Sequence, residues 1–363
     1  MSTSHGKAIM QRPISEYAVY LKSLIPANIP DAYALKPMFK TVSSEESIRN
    51  GIIAYRDFLY VFCDRLVSYG HLYAKPQKTK NPVDYRFLKN MNQLLIDIGY
   101  NGRLDEGGKS LFVSEIPSFT AKKPRIPANK QMEYLRFLIL CGFVFTGIDP
   151  GAKTFHMIDG YLEISYPQAP SMLMGLKALS IAAVDLWVRF YNNANDLLRC
   201  DYRVLQAEDT DVFDVLKDMV YPLHENIQAF VLKMHKRYMD MGMTCAIIND
   251  NSTHFAYAYT KNSRRLLSPR DIYSRRIWEF DISMKYGYCI VVRSKKTDKY
   301  ADLIETFPSF LREKIAAGYG CDRKLRNEAC QGGCQGIRIP INDSTAAMKQ
   351  HIEAWLDREV PCS

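Results

Sequence analysis

Four cysteines gather near the end of the sequence. Cys321 is followed after eight residues by Cys330, after three more by Cys334, and after a further 27 by Cys362. Four thiolates are the donor set of a tetrahedral structural zinc ion. Gly332, Gly333 and Gly336 flank Cys334, where backbone N–H groups can turn toward a metal-bound sulfur. The offsets are not paired CxxC motifs, so reduced structural thiols stand as the alternative, and His351 is a possible substitute for one sulfur. A segment this short has little core of its own, so a bound metal would supply much of its folding free energy.

A second group is cationic. Lys261, Arg264, Arg265, Arg270, Arg275 and Arg276 surround Tyr273, with Asp271 as the acid among them. Guanidiniums beside an aromatic ring suit phosphate contact with base stacking. A solvated loop that keeps a sheet edge from pairing explains the same residues. Asp209, Asp211 and Asp214 offer carboxylates to a divalent cation, or caps to the helix that follows. His254 sits in a strand pattern that points it toward solvent. No GxSxG, HExxH, P-loop or GxGxxG in a strand-turn-helix context is present, so no catalytic residue is assigned.

These groups need elements to position them. Ser43-Ser-Glu-Glu46 has capping-box spacing, and Ile48, Ile52, Tyr55, Leu59, Phe62 and Leu66 then recur at helical intervals. A helix over about 83–98 ends at Gly99, and short extended pieces around Gly107-Gly108 follow. Residues 121–130 (AKKPRIPANK) read as a linker. An offset of 43 then pairs Leu95 with Leu138, Gly99 with Gly142, Tyr100 with Phe143, Gly108 with Gly151 and Phe112 with Phe155. The unit so repeated, helix then hairpin, has the shape of a winged helix, a DNA-binding form. Chance recurrence of a common motif is the alternative.

Farther on, a long helix is expected over about 171–192. A helix from Pro222 stops at Gly242, and strands over 244–248 and 253–260 flank the turn Asn249-Asp-Asn-Ser252. In 277–284, Trp278, Phe280, Ile282 and Met284 share one face, while Glu279, Asp281 and Ser283 share the other. With 288–293 and two helices behind it, this predicts a four-stranded antiparallel sheet, one face wet and one packed by helices. In the tail, Ile337, Ile339 and Ile341 alternate as a strand, and a helix from Ser344 presents His351, Ile352 and Trp355.

The stretch FPSFLREKIAAGYGCDRKLRNEACQGGCQGIRIPIND resembles the cysteine-bearing ends of uncharacterised cytosolic proteins of anaerobic Gram-positive bacteria. The likeness runs from Ile277 to Cys362. That group has no established activity, so the resemblance implies no catalytic residue.

The class is therefore α+β. Its expected parts are a helical and helix-hairpin domain over 1–120, the linker over 121–130, and a second helix-hairpin unit over 131–200. An α+β domain over 205–320 and a Cys-rich tail over 321–363 complete it. At 363 residues with 47% hydrophobic and 24% charged, the chain can fill more than one core. A polar start without an apolar leader, and scattered cysteines suited to reduced cores, favour a cytoplasmic protein. The apolar run 137–145 is about half the length of a membrane span and reads as a helix end entering a strand. Net charge is +9, with basic ends around an acidic middle, which keeps nucleic acid among the partners. The leading reading is a non-enzymatic binding or regulatory protein with a zinc-ordered tail. The competing one is an enzyme or small-ligand protein with its site on the 244–293 sheet.

Overall fold

The computed structural model describes residues 13–74, 86–185, 197–207, 211–249, 252–260, 267–283, 287–293, 297–317 and 336–360. The chain divides into two compact units, Met1–Thr210 and Asp211–Ser363. The fold is α+β: the first unit is helix-rich, and each unit holds an antiparallel sheet packed by helices.

In the first unit, α1 (Ile14–Ser23) and α2 (Pro37–Lys40) precede α3 (Glu45–Tyr73) and α4 (Arg86–Asn101). Ser44 caps α3 by accepting from the Ser47 N–H, and the stripe from Ile48 to Leu66 is fully buried. Strands β1 (Arg103–Leu104) and β2 (Ser110–Val113) form a hairpin, and α5 (Pro117–Thr120) follows. The second helix-hairpin is α6 (Ala128–Leu140), β3 (Val144–Thr146) and β4 (Leu162–Ser165), and α7 (Met172–Asp185) comes next. The 137–145 run is indeed a helix end entering a strand. Among the described residues no helix is long and apolar enough to cross a membrane.

The two hairpins share one sheet in the order β1-β2-β4-β3, with β2 antiparallel to β4. The first strand of each hairpin is thus at an edge and the second at the centre, a pseudo-twofold pairing. The 43-residue offset relates the two helices but drifts after Gly142, because the loop between β3 and β4 is much longer than that between β1 and β2. Phe155, the offset partner of the strand residue Phe112, lies in that loop and packs edge-on against Phe119. Of residues 121–130 only Ile126 is buried, its carbonyl accepting from the Gln131 side chain, and the other nine are exposed.

Helix α7 lies against both α3 and α4 at glycines. A Cβ on Gly51 would come within 2.6 Å of the Gly175 backbone nitrogen and 2.8 Å of the Ser171 carbonyl oxygen. A Cβ on Gly99 would meet the Leu176 carbonyl oxygen at 2.8 Å and the Ser180 hydroxyl.

The second unit begins with α8 (Val212–Val220) and α9 (Glu225–Asp240). Asp211 caps α8 by accepting from the N–H groups of Phe213 and Asp214, which accounts for it without a cation. Five strands follow in sheet order: β5 (Met243–Asn249), β6 (Ser252–Tyr259), β7 (Trp278–Ser283), β8 (Gly287–Val292) and β9 (Ile337–Pro340). Helix α10 (Pro269–Arg275) connects β6 to β7. Helices α11 (Ala301–Glu305) and α12 (Ser309–Ala317) lie between β8 and β9, and α13 (Asp343–Ala347) and α14 (Lys349–Glu359) come last.

Two expectations are corrected here. The sheet has five strands rather than four, because Ile337–Pro340 pairs antiparallel with β8, and so these residues belong to the sheet rather than to a separate tail. Nor is either face wet. Trp278, Phe280 and Ile282 are buried beside α9, where Tyr238 packs on Trp278 and Tyr257 stacks on the same indole at 3.9 Å. Arg237 of α9 binds Glu353 at 2.9 Å and Asp357 at 2.6 Å, fixing α14 alongside. Glu279 and Asp281, on the opposite face, are also buried.

A Gly→Ala change in mid-helix ordinarily stabilises by about 0.5–1 kcal/mol. At Gly51 and Gly175 the sign should reverse to a loss of about 1–3 kcal/mol, because backbone rather than flexible side chain occupies the space. Urea titration of Gly175→Ala checks this, and an unchanged or raised midpoint contradicts the close crossing.

Candidate functional site

Strand pairing puts His254 of β6 opposite Asp281 of β7, and Ala256 opposite Glu279. On the far side of β7, Asp281 faces Cys289 and Glu279 faces Val291, which in turn faces Arg338 of β9. One sheet face therefore carries His254, Glu279, Asp281, Cys289 and Arg338 in adjoining rows.

Helix α10 supplies the rest. Ser268 and Asp271 form a reciprocal capping box, and Pro269 occupies the first turn. Ile272 anchors the helix on Ala246 and Ala258 of the sheet. The chain then turns, and Arg276 points inward with its guanidinium 3.5 Å from the Tyr273 ring centre. The Tyr273 ring also lies 5.1 Å from the His254 ring.

The result is a buried ionic network. Arg276 Nε is 2.6 Å from Glu279 Oε2, and Arg338 Nε is 3.6 Å from Asp281 Oδ2. His254 Nδ1 lies between both carboxylates, 3.4 Å from Glu279 Oε2 and 3.6 Å from Asp281 Oδ1. Exposure is 6% for His254, 8% for Arg276, 1% for Glu279 and none for Asp281. His254, expected to face solvent, is thus buried, because a helix covers the face that alternation assigned to water. Burial works against its charged form, but the bond to Glu279 and the charges of Asp281 and Glu279 outweigh it, so its pKa is raised.

Two carboxylates and an imidazole are metal-ligand types, but guanidiniums occupy the carboxylates, and no metal-competent group of three such residues exists among the described residues. Among the described residues no thiolate is available on this face. Burial pushes the Cys289 thiol far up, and Asp281 reinforces it against Arg338 and Lys314. Cys63 and Cys245 are likewise pushed up by burial, to about 12.

Of the basic loop, Arg276 joins this network, while Arg270 and Arg275 are exposed on α10. Arg264 and Arg265 lie outside the described residues, as do Cys321, Cys330, Cys334 and Cys362. The other cationic expectation rested on the helix-hairpins. Helix α4 is packed along its length, with only Arg86 and Asn101 at its ends exposed, whereas α6 of the second helix-hairpin exposes Ala128, Asn129, Lys130 and Arg136. Sequence reasoning placed Glu279 and Asp281 on one face but had no signal for their partner Arg338, 57 residues beyond Asp281. No family model, curated protein or solved structure matches the chain.

Removing one member of a buried ion pair strands the other. Glu279→Gln should cost the second unit about 3–5 kcal/mol, measured by denaturant unfolding. Because the His254 pKa is raised, its stabilising charge is complete below the ordinary 6.5 and is lost as pH climbs through the folded value. The stability advantage of wild type over His254→Gln should therefore shrink as pH rises through the range above the ordinary 6.5. A gap that stays constant across that range contradicts the pairing.

Proposed function

We propose that the chain is a non-enzymatic binding protein of regulatory type. In this reading the charged face of the C-terminal sheet receives a small ligand, and Cys321, Cys330, Cys334 and Cys362 hold a structural zinc ion.

The observation that carries the ligand reading is the contrast between the two faces of one sheet. The face under α9 is built from Trp278, Phe280, Ile282 and other apolar side chains. The opposite face buries two carboxylates, the Arg276 guanidinium and an imidazole, with the half-buried Arg338 beside them, although apolar residues of similar volume would stabilise at least as well. Buried titratable clusters of this kind concentrate where proteins bind or react. Binding is favoured over chemistry because the carboxylates are committed to guanidiniums and the Cys289 thiol is held protonated. A second reading, an enzyme using His254 as general acid, draws on the same raised pKa.

The ligand is sought by thermal unfolding of the full chain against separate panels of small anions, amines and neutral sugars. A true ligand at a hundred times its Kd should raise the transition of the second unit by about 5–10 °C. The shift should shrink in Arg338→Gln, and the absence of any shift across all panels would falsify the ligand reading. Zinc is tested by elemental analysis. About one zinc per chain is expected, lost on serine substitution at the four tail cysteines. A metal-free protein with unchanged stability in those variants removes that part.

A further inference from the structure

Several cations of the first unit lie on carboxylates, as Lys22 does on Asp64 at 2.7 Å, Lys40 on Glu45 at 3.1 Å and Arg56 on Asp57 at 2.9 Å. Those around the start of α6 are arranged differently. Lys122, Lys123, Arg125 and Lys130 are exposed on the connection from α5 and the first turn of α6, and Arg136 is exposed farther along that helix. Lys153 is exposed on the β3–β4 loop. Arg125 is oriented by neutral acceptors, its guanidinium 3.3 Å from Asn90 Oδ1 and 3.4 Å from Gln93 Oε1. Arg136 donates to two backbone carbonyls of the loop, Pro150 at 2.9 Å and Ala152 at 2.6 Å. Both guanidiniums are thus fixed in place without losing charge to an acid.

These residues share one face. Gln131 at the start of α6 donates to the carbonyls of Phe119 and Ile126, which folds the connection back against α5. The Phe155 ring of the β3–β4 loop packs on Phe119 at 5.0 Å, and the Arg136 bonds hold the same loop along α6. Lys130, Glu133 and Arg136 fall within about a third of the helix circumference. The acids on this face are engaged. Glu133 is half-buried and binds Lys130 at 2.6 Å, Asp149 accepts from the Gly151 N–H at 2.8 Å, and the buried Asp97 accepts from the Ser118 N–H and the Gln93 amide. Lys130 alone of the six cations has an ion-pair carboxylate among the described residues. Residues 75–85, which precede α4 in the sequence and lie outside the described residues, carry three lysines and one aspartate, a surplus of the same sign.

Positioned cations spread over an open surface suit a polyanion whose charges repeat. The exposed residues over 121–136 include no large apolar side chain and no aromatic ring. That stretch therefore lacks both the buried anchor of a protein interface and the stacking platform of a single-strand site. We propose that this face binds double-stranded nucleic acid through its phosphate backbone, with Lys122, Lys123, Arg125, Arg136 and Lys153 as the contacts. Such contacts set register and orientation but read no base sequence. The proposal is independent of the charged face of the C-terminal sheet.

The test is fluorescence anisotropy of labelled DNA and RNA duplexes of mixed sequence, each titrated with the full-length protein. Binding of at least one duplex is expected, falling by about two to three powers of ten between about 50 and about 200 mM salt, as about five phosphate contacts require. Lys122→Gln, Lys123→Gln and Lys153→Gln combined should weaken it about tenfold or more at the lower salt and reduce the salt slope by about two to three. All three side chains are exposed, so folding, checked by circular dichroism, should be preserved. Binding should be unchanged in Arg270→Gln combined with Arg275→Gln, the exposed cations of α10. Binding that survives the triple lysine change, or that is lost with the α10 arginines instead, places the nucleic acid elsewhere and overturns the proposal. So does failure of both duplexes to bind at low salt, or tighter binding of a single strand of the same sequence. Displacement of the duplex by polyglutamate at equal charge concentration also overturns it, since the face then takes any polyanion.

Discussion

Glu279 and Asp281 are set inside the second unit, away from water, by nothing more than the two-residue repeat of a strand. A carboxylate in that position is tolerated only if opposite charge reaches it. The neighbouring elements meet that demand. Arg276 comes from the turn after α10, His254 from the adjoining strand, and Arg338 from a strand far along the chain. The pairing of β9 is therefore both a hydrogen-bonding event and an electrostatic one, since it brings the guanidinium that faces Asp281. The apolar side of the sheet has no comparable requirement, and there α9 and α14 pack by ring contacts and an exposed-to-half-buried ion cluster.

The first unit depends on contact of a different kind. Helix α7 approaches α3 and α4 closely because Gly51, Gly99 and Gly175 present no side chain at the crossings. Around that packed trio the two hairpins join edge to edge into one sheet. Helix-then-hairpin order does recur across the 43-residue offset. It is not maintained residue by residue, since the longer β3–β4 loop displaces the final strand.

Much of this was legible in the residues. The Ile48–Leu66 stripe, the Asp211 cap, the end of α6 inside the 137–145 run, and strands β5 to β8 all followed from spacing and local chemistry. The tail strand and the helix behind it were legible as elements, but their destination was not. Alternation of polar and apolar residues states that two faces differ, without saying that the polar one meets water. Here it meets arginine and histidine. Reading that requires knowing which distant strand is adjacent, and Arg338 carries no local mark of the sheet position it takes.

The separation of β8 from β9 has a temporal consequence. During synthesis on the ribosome, more than forty residues emerge after Val292 before Ile337 appears. Through that interval the nascent sheet lacks its last strand, and Asp281 lacks the guanidinium of Arg338. Long-range closure of this sort delays completion of a β structure. Completion of the sheet is thus deferred until β9 has cleared the exit tunnel, and α14, which is ion-paired to α9, emerges later still.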